Sequence, residues 1–310
     1  MMATYLVTGG AGFIGSNVVR ALLAQQHQVR VFDNFLTGKR ENLADILSDI
    51  TLIEADLRYF DAVKQAAAGV DYILHFGALP SVPRSVVDPI LSNDININGT
   101  LHVLDAARQQ GVKRVVFSSS SSVYGDTPTL PKQEEMPLNP LSPYATHKAT
   151  GELYCRVYYN IYGLETVCLR YFNVFGPRQD PNSQYAAVIP RFITALHSGG
   201  QPTIYGDGEQ SRDFTFVDNV VAANIAASTA PNAAGEVINI ACGARITVKE
   251  LARKIGVMLG KEAAPHYLPG RAGDVKHSLA DISKAQRLLN LSNLVDLDAG
   301  LQRTVEWFTR

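Results

Sequence analysis

Several absences narrow the possibilities before any motif is read. Cysteine is scarce: Cys155, Cys168 and Cys242 are the only thiols in 310 residues. Odd in number and scattered, they exclude a disulfide-built secreted scaffold and lead us to expect reduced thiols in the cytoplasm. Excess charge is missing too, with 28 basic against 29 acidic residues. That removes the electrostatic footprint of a nucleic-acid binder or of a protein held on an anionic membrane. No apolar run reaches the roughly 20 residues of a membrane span. A strand pattern begins within four residues of Met1, so no signal peptide is expected. The seven histidines lack metal-ligand spacing, so no metal site is expected. Repeats, low-complexity tracts and long linkers are also lacking. What remains is a chain with 46% hydrophobic residues, enough for a large core in one large or two modest domains.

What is present is organised around residues 4–24. Tyr5-Leu6-Val7 reads as a buried strand, Gly9-Gly-Ala-Gly12-Phe-Ile-Gly15 follows, and Asn17-Val-Val-Arg-Ala-Leu-Leu runs on at helical spacing. A glycine turn between strand and helix lets backbone approach a pyrophosphate, and the helix N-terminus supplies free N–H groups and a positive dipole end. Asp33 closes the next strand, Val29–Asp33, 18 residues past Gly15. Its carboxylate suits an adenosine ribose and repels a 2′-phosphate, which favours NAD over NADP. Lys39 and Arg40 lie close by and keep NADP open.

Further strands are expected at Leu52–Leu57, Tyr72–Ala78, Val115–Ser118 and Thr166–Tyr171, with a helix at Asn98–Arg108. Strands alternating with helices argue for an α/β fold with a doubly wound parallel sheet of Rossmann type. Beyond Phe175, turn formers, aromatics and charges interleave without steady alternation. Helices are expected at Val248–Leu259 and Ser283–Leu289. The expected division is a dinucleotide-binding domain at 1–175, with a returning segment near 213–245. Residues 176–212 and 246–310 then form a smaller C-terminal α/β substrate domain.

Ser142-Pro143 before Tyr144 is a helix start, with serine as N-cap and proline at the first position. Tyr144 and Lys148 then share a helix face. A free tyrosine, with a pKa near about 10, is a poor base. An ammonium one turn away and a cationic nicotinamide ring both favour the phenolate, making Tyr144 a usable general base. Ser118-Ser-Ser-Ser-Ser122 directly follows Val115-Val-Phe117, at a predicted strand end, where ligands bind in open α/β sheets.

Together these residues resemble an extended short-chain dehydrogenase/reductase of the nucleotide-sugar epimerase and dehydratase branch, and the resemblance runs from end to end. Its motifs are Thr8-Gly-Gly-Ala-Gly-Phe-Ile-Gly15, Asp56-Leu57, His75-Phe-Gly-Ala78, Ser118-Ser-Ser120, Val123-Tyr-Gly125, Tyr144-x-x-x-Lys148 and Arg170-Tyr-Phe-Asn173. The Gly-x-x-Gly-x-x-Gly spacing is the family's own. The resemblance implies that Tyr144 is the base, Lys148 its electrostatic partner and a nicotinamide-ribose ligand, and Ser120 a hydrogen-bonding helper. NAD would be lined by Gly9, Gly12, Phe13, Ile14, Gly15, Asp33, Asn34, Asp56, Leu57, Phe76, Gly77, Ala78, Asn96, Ser118, Tyr171 and Phe172. A UDP-sugar would meet Ser81, Arg84, Ser121, Asn173, Val188, Tyr205, Arg212, Arg271, Asp274 and Ser278. Two arginines on a diphosphate make chemical sense. In isolation, Arg212 reads as a surface ion pair and Arg271 as a loop cation.

The activity implied is NAD-dependent epimerisation at C4 of a UDP-hexose through a 4-keto sugar. Relatives with a tyrosine at the position of Ser278 resemble glucose/galactose-restricted enzymes, and those with a small residue also admit N-acetyl sugars. The alternatives are a 4,6-dehydratase, a UDP-glucuronate-type epimerase or decarboxylase, and a non-catalytic NAD(H) sensor. Dehydratase and decarboxylase relatives carry acids beside the catalytic hydroxyl, whereas here that stretch is Ser120-Ser-Ser-Val-Tyr. By analogy the protein is expected to form a homodimer through the helix starting at Tyr144 and the one near Leu101. His75 is read as a hydrogen-bonded strand-end residue, His147 as facing away from the site, Cys155 as packing and Trp307 as an anchor of the last helix.

Overall fold

The computed structural model of the protein describes residues 2–181, 188–270 and 275–310. Strands β1 (Thr4–Thr8), β2 (Gln28–Asp33), β3 (Thr51–Glu54), β4 (Tyr72–His75), β5 (Arg114–Ser120) and β6 (Glu165–Tyr171) lie in one sheet with the strand Val237–Ile240. The order is Val237–Ile240, β6, β5, β4, β1, β2, β3, and every pairing is parallel. The chain winds outward from β1 through β2 to β3, then returns to place β4 on the other side of β1. Between β1 and β4 the crossovers leave in opposite directions, which opens a crevice at the carboxyl ends of the strands.

Both faces of the sheet are covered, so the strands are apolar on both sides. Along β1 the alternation still sorts the side chains. Leu6 joins the core that α2 (Phe60–Ala67), α5 (Gly99–Gln110) and α6 (Pro143–Tyr162) close with Val63, Val103, Leu104 and Cys155. Val7 joins the opposite core, where α1 (Phe13–Ala24) and the helix Val217–Thr229 contribute Val18, Leu22, Val220 and Ala223. Between β4 and α5 lie the short helices α3 (Val82–Val87) and α4 (Pro89–Asn93). Beyond β6, the helices Val188–His197, Val248–Met258 and Leu297–Phe308 pack on one another through Phe192, Leu251 and Leu301. Among the described residues no helix is long and apolar enough to cross a membrane.

Among the boundaries that differ from the sequence expectation, β5 runs on to Ser120 and α5 to Gln110, and three others have a local setting. β3 stops at Glu54 rather than Leu57, because Asp56 turns its side chain onto the backbone N–H of Arg58 at 2.9 Å. β4 stops at His75 rather than Ala78. Gly77 there lies so close to Leu57 that a Cβ would fall 2.6 Å from Leu57 Cδ1. The helix expected from Asn98 begins at Gly99, after one π-type turn over Asp94–Asn98. The start of α6 is as read: Ser142 Oγ accepts from Ala145 N at 3.2 Å and Pro143 opens the helix. The helices Val248–Met258 and Ser283–Leu289 match their expected places to within a residue.

Candidate active site

The crevice is a cleft of about 970 Å³. Its floor is the first turn of the chain. Gly9 has φ +68° and donates to Phe32 O at 2.8 Å; a Cβ there would fall 2.7 Å from Gly77 N. At Gly15 a Cβ would fall 2.3 Å from Gly9 O, so only glycine lets α1 start this close to the turn. Gly12, the N-cap of α1, has no side chain to cap the helix, which leaves first-turn N–H groups facing the cleft. Asp33, buried at the end of β2, accepts from Ala11 N at 2.9 Å and Phe35 N at 2.8 Å. Burial raises its pKa, and the two backbone donors oppose that. Asp56 is held by Asn34 Nδ2 at 2.7 Å and by the Arg58 guanidinium. Burial works against its charge, but those bonds bring its pKa down to about 2. These groups fit a dinucleotide: a backbone cradle for pyrophosphate beside carboxylates that accept from a ribose.

The structure brings most of the predicted cofactor residues to this cleft. Gly9, Gly12, Phe13, Ile14, Gly15, Asp33, Asn34, Asp56, Leu57, Phe76, Gly77, Ala78, Ser118, Tyr144, Lys148, Tyr171 and Phe172 all line it. Asn96 does not. It is buried, and its amide is bonded to Leu79 N and O, so it shapes the wall from behind. His75 is a strand-end residue bonded to Thr8 Oγ1 at 2.7 Å and Thr100 Oγ1 at 3.1 Å. Burial and the nearby Lys148 push its pKa to about 3, so it stays neutral. His147 turns to Ser92 and Asn96, away from the cleft. Cys155 is packed in the core.

At the centre of the cleft α6 presents Tyr144 and Lys148 to the end of β5. Ser120 lies beside the Tyr144 hydroxyl and favours its ionised form. Lys148 Nζ donates to Ser118 O at 2.7 Å and sits 5.0 Å above the Phe117 ring and 5.8 Å from the Tyr144 ring centroid. Burial dominates both groups. It pushes Tyr144 up to about 12 against the pull of Ser120, and Lys148 down to about 8. The expectation names two cations beside the phenolate, Lys148 and a nicotinamide ring, and the burial that opposes ionisation of Tyr144 is the reason both are needed.

The remaining predicted residues divide between two cavities. Ser81, Arg84, Ser120, Ser121 and Ser278 line the main cleft. Val188 and Tyr205 line an adjoining cavity of about 300 Å³, and Asn173 and Arg212 line both. Arg212 Nη1 donates to Ser211 O and Lys276 O, both at 3.0 Å, so it is a tethered cation bordering both cavities. Arg271 and Asp274 lie outside the described residues.

The sequence reading missed two features. Thr37, Gly38, Lys39 and Asn42 continue the cleft wall after Asn34, and Lys39 pairs with Asp180 at 3.2 Å. The turn formers after Asp33 were the available signal. Glu152, Ser119 and Arg170 form a buried cluster beneath the carboxyl end of β5. Its signal was a second i, i+4 step along α6, from Lys148 to Glu152.

Comparison with known proteins agrees with this geometry. Residues 5–241 match the model of the NAD dependent epimerase/dehydratase family. The chain is 40% identical over 307 residues to a UDP-glucose 4-epimerase of Mycolicibacterium smegmatis, covering 98% of this chain and 97% of the relative. A UDP-N-acetylglucosamine 4-epimerase of Methanobrevibacter ruminantium, solved with UDP-N-acetylmuramic acid, superposes with a TM-score of 0.94 at 44% identity, covering 99% of this chain and 98% of that one. The UDP-glucose 4-epimerase of Thermotoga maritima, solved with UDP-glucose, gives 0.94 at 37% identity, with 98% of each chain covered. The chain therefore belongs to the NAD-dependent epimerase/dehydratase family, and is an enzyme fold of the extended short-chain dehydrogenase/reductase type that takes NAD.

Proposed function

We propose that this protein is a UDP-hexose 4-epimerase that interconverts UDP-N-acetylglucosamine with UDP-N-acetylgalactosamine, and UDP-glucose with UDP-galactose. The observation that carries the reading is the meeting of Tyr144, Lys148 and Ser120 in one cleft, Lys148 fixed by Ser118 O, with serines and no carboxylate around them. Among the described residues the acids lining the cleft are Asp33, Asp56 and Asp180, which belong to the cofactor end. Dehydration and decarboxylation relatives keep an acid at the sugar, and this wall offers hydroxyls instead.

Bound NAD supplies the hydride acceptor, and then the donor, at its nicotinamide. The chain supplies the rest. Tyr144 Oη takes the proton of the C4 hydroxyl, and Ser120 Oγ holds that oxygen through a hydrogen bond. Lys148 keeps positive charge beside the phenolate, fixed by Ser118 O. Arg212, with Asn173, Val188 and Tyr205, holds the nucleotide half while the 4-keto sugar turns over and presents its other face. Tyr144 then returns the proton. The reading places the cofactor on residues 1–175 and the returning segment, and the UDP-sugar on the remainder. Two copies pair through α5 and α6, where Leu153, Val157 and Ile161 stand exposed at four-residue spacing. Incubation with a panel of UDP-sugars, resolving the C4 epimers chromatographically, tests the reading. Turnover of both pairs supports it, and a 4-keto-6-deoxy or decarboxylated product overturns it.

A further inference from the structure

Behind the catalytic pair lies a buried charge cluster that the chemistry above does not use. Tyr144, Lys148 and Glu152 recur at four-residue spacing along α6, so they share one face. Glu152 is buried, and Arg170, buried on β6, meets it with two bonds, Nε to Oε1 at 2.9 Å and Nη2 to Oε2 at 2.7 Å. Ser119 Oγ donates to the same Oε1. Ser119 and Arg170 are cross-strand partners in the β5–β6 ladder, so Glu152 ties both strands to α6 at one level. In a strand, neighbours alternate faces. Anchoring Ser119 toward α6 therefore fixes Ser118 and Ser120 on the other face of the strand, at the strand end where all three border the cleft. Arg170 is fixed in turn by Glu134 O at 3.1 Å and by the Tyr124 ring, 4.7 Å from its Cζ.

We propose that Glu152 is a positioning residue for the catalytic pair: its carboxylate locks the strand end carrying Ser118 and Ser120 against the helix carrying Tyr144 and Lys148, and stands buried one helical turn from the Lys148 ammonium. This rests on the assignment of Tyr144 and Lys148 above. The groups facing Lys148 are His75 from β4, Ser118 and the Phe117 ring from β5, and Tyr144, His147, Glu152 and Cys155 from α6 itself. Both histidines have pKa values lowered by burial and by Lys148. Burial is the largest influence on Lys148, and Cys155 and Glu152 oppose it. Of those two, Glu152 is the carboxylate, and Arg170 meets it with two bonds.

The test is Glu152→Gln, which keeps the shape and removes the charge. Two readouts are followed in the full-length protein: the alkaline limb of the kcat–pH profile, and the titration of Lys148 through the carbon-13 shift of its ε-carbon. Both should move to lower pH by about half a unit or more. If Glu152→Gln fails to fold, the double variant Glu152→Gln with Arg170→Met leaves no unpaired buried charge; because the opposing guanidinium goes too, a smaller shift in the same direction is expected, and none at all would overturn the proposal. A uniform fall in kcat with neither the limb nor the lysine titration displaced would mean a structural role only, and would overturn the proposal. Tyr144→Phe, run in parallel, separates the two readings. If it is inactive and the lysine titration is unmoved in the Glu152 variants, only this proposal fails. If it keeps full turnover, the catalytic pair itself is wrong.

Discussion

Asn173 Nδ2 donates to Ser278 Oγ across 3.1 Å, joining two wall residues 105 positions apart in the chain. Ser278 Oγ also accepts from Asp213 N at 3.3 Å, and Asn173 Nδ2 also reaches Asp213 O at 2.9 Å. The serine is therefore held in place by the residues beneath the sugar end of the cleft, with its small side chain leaving the wall open. A tyrosine at this position breaks the bond from Asn173 and fills volume that an acetamido group would occupy. Ser278→Tyr is expected to lower kcat/KM for the N-acetylated pair at least about tenfold relative to the plain hexose pair. An equal loss for both pairs would refute Ser278 as the gate.

Tyr144→Phe deletes the proton acceptor and changes little volume. Turnover is expected to fall by roughly 10²–10⁴-fold, the usual scale of positioned proton transfer. Binding of NAD and of UDP should stay within a few-fold of wild type, measured by calorimetry on the same preparation. Substantial residual turnover would remove Tyr144 from the role of base.

Much of this site was legible in the sequence because its parts are local. The glycine turn, the Ser142-Pro143 helix start and the Tyr144/Lys148 step each depend on neighbours within a turn or two. What stayed hidden depends on long-range placement. The Asn173–Ser278 bond and the Glu152–Arg170 pair need the strand order, and no spacing rule encodes them. The end of β3 was missed because the side chain of Asp56 competes for backbone, a choice that apolar patterning does not register. Asn96 comes to the cofactor through the resemblance alone, and in the structure its amide is bonded to Leu79.

Asp33 uses part of its carboxylate on Ala11 N and Phe35 N, which aims it at the mouth of the cleft beside the glycine turn. Asp33→Ala should weaken NAD binding by about 10- to 100-fold, as expected for losing bonds to a charged acceptor. NADP binding should weaken less, because the same change removes a repulsion. Titrating both nucleotides into stripped protein checks this. An unchanged NAD-to-NADP ratio would contradict the role given to Asp33.

Lys148 makes a signed prediction about stability. Its pKa falls from 10.5 to about 8 in the fold, through burial. Between those values the unfolded chain holds a proton on this lysine that the folded chain lacks, so stability rises with pH across the window. Lys148→Met has no such group. The unfolding free energy of wild type minus that of Lys148→Met should therefore climb as pH goes from about 8 to about 10.5, and be flat below. Denaturant melts at matched pH values measure it, and a flat difference across the window would show that the lysine is not desolvated.

The account turns on hydride leaving and rejoining the same carbon while Tyr144 handles only the hydroxyl proton. The most direct measurement supplies UDP-N-acetylglucosamine carrying deuterium at C4, in ordinary water, and reads the product by NMR. The expected result is UDP-N-acetylgalactosamine with the deuterium still on C4, formed without net reduction of NAD. Loss of the label to solvent, or a product unchanged at C4, would contradict it.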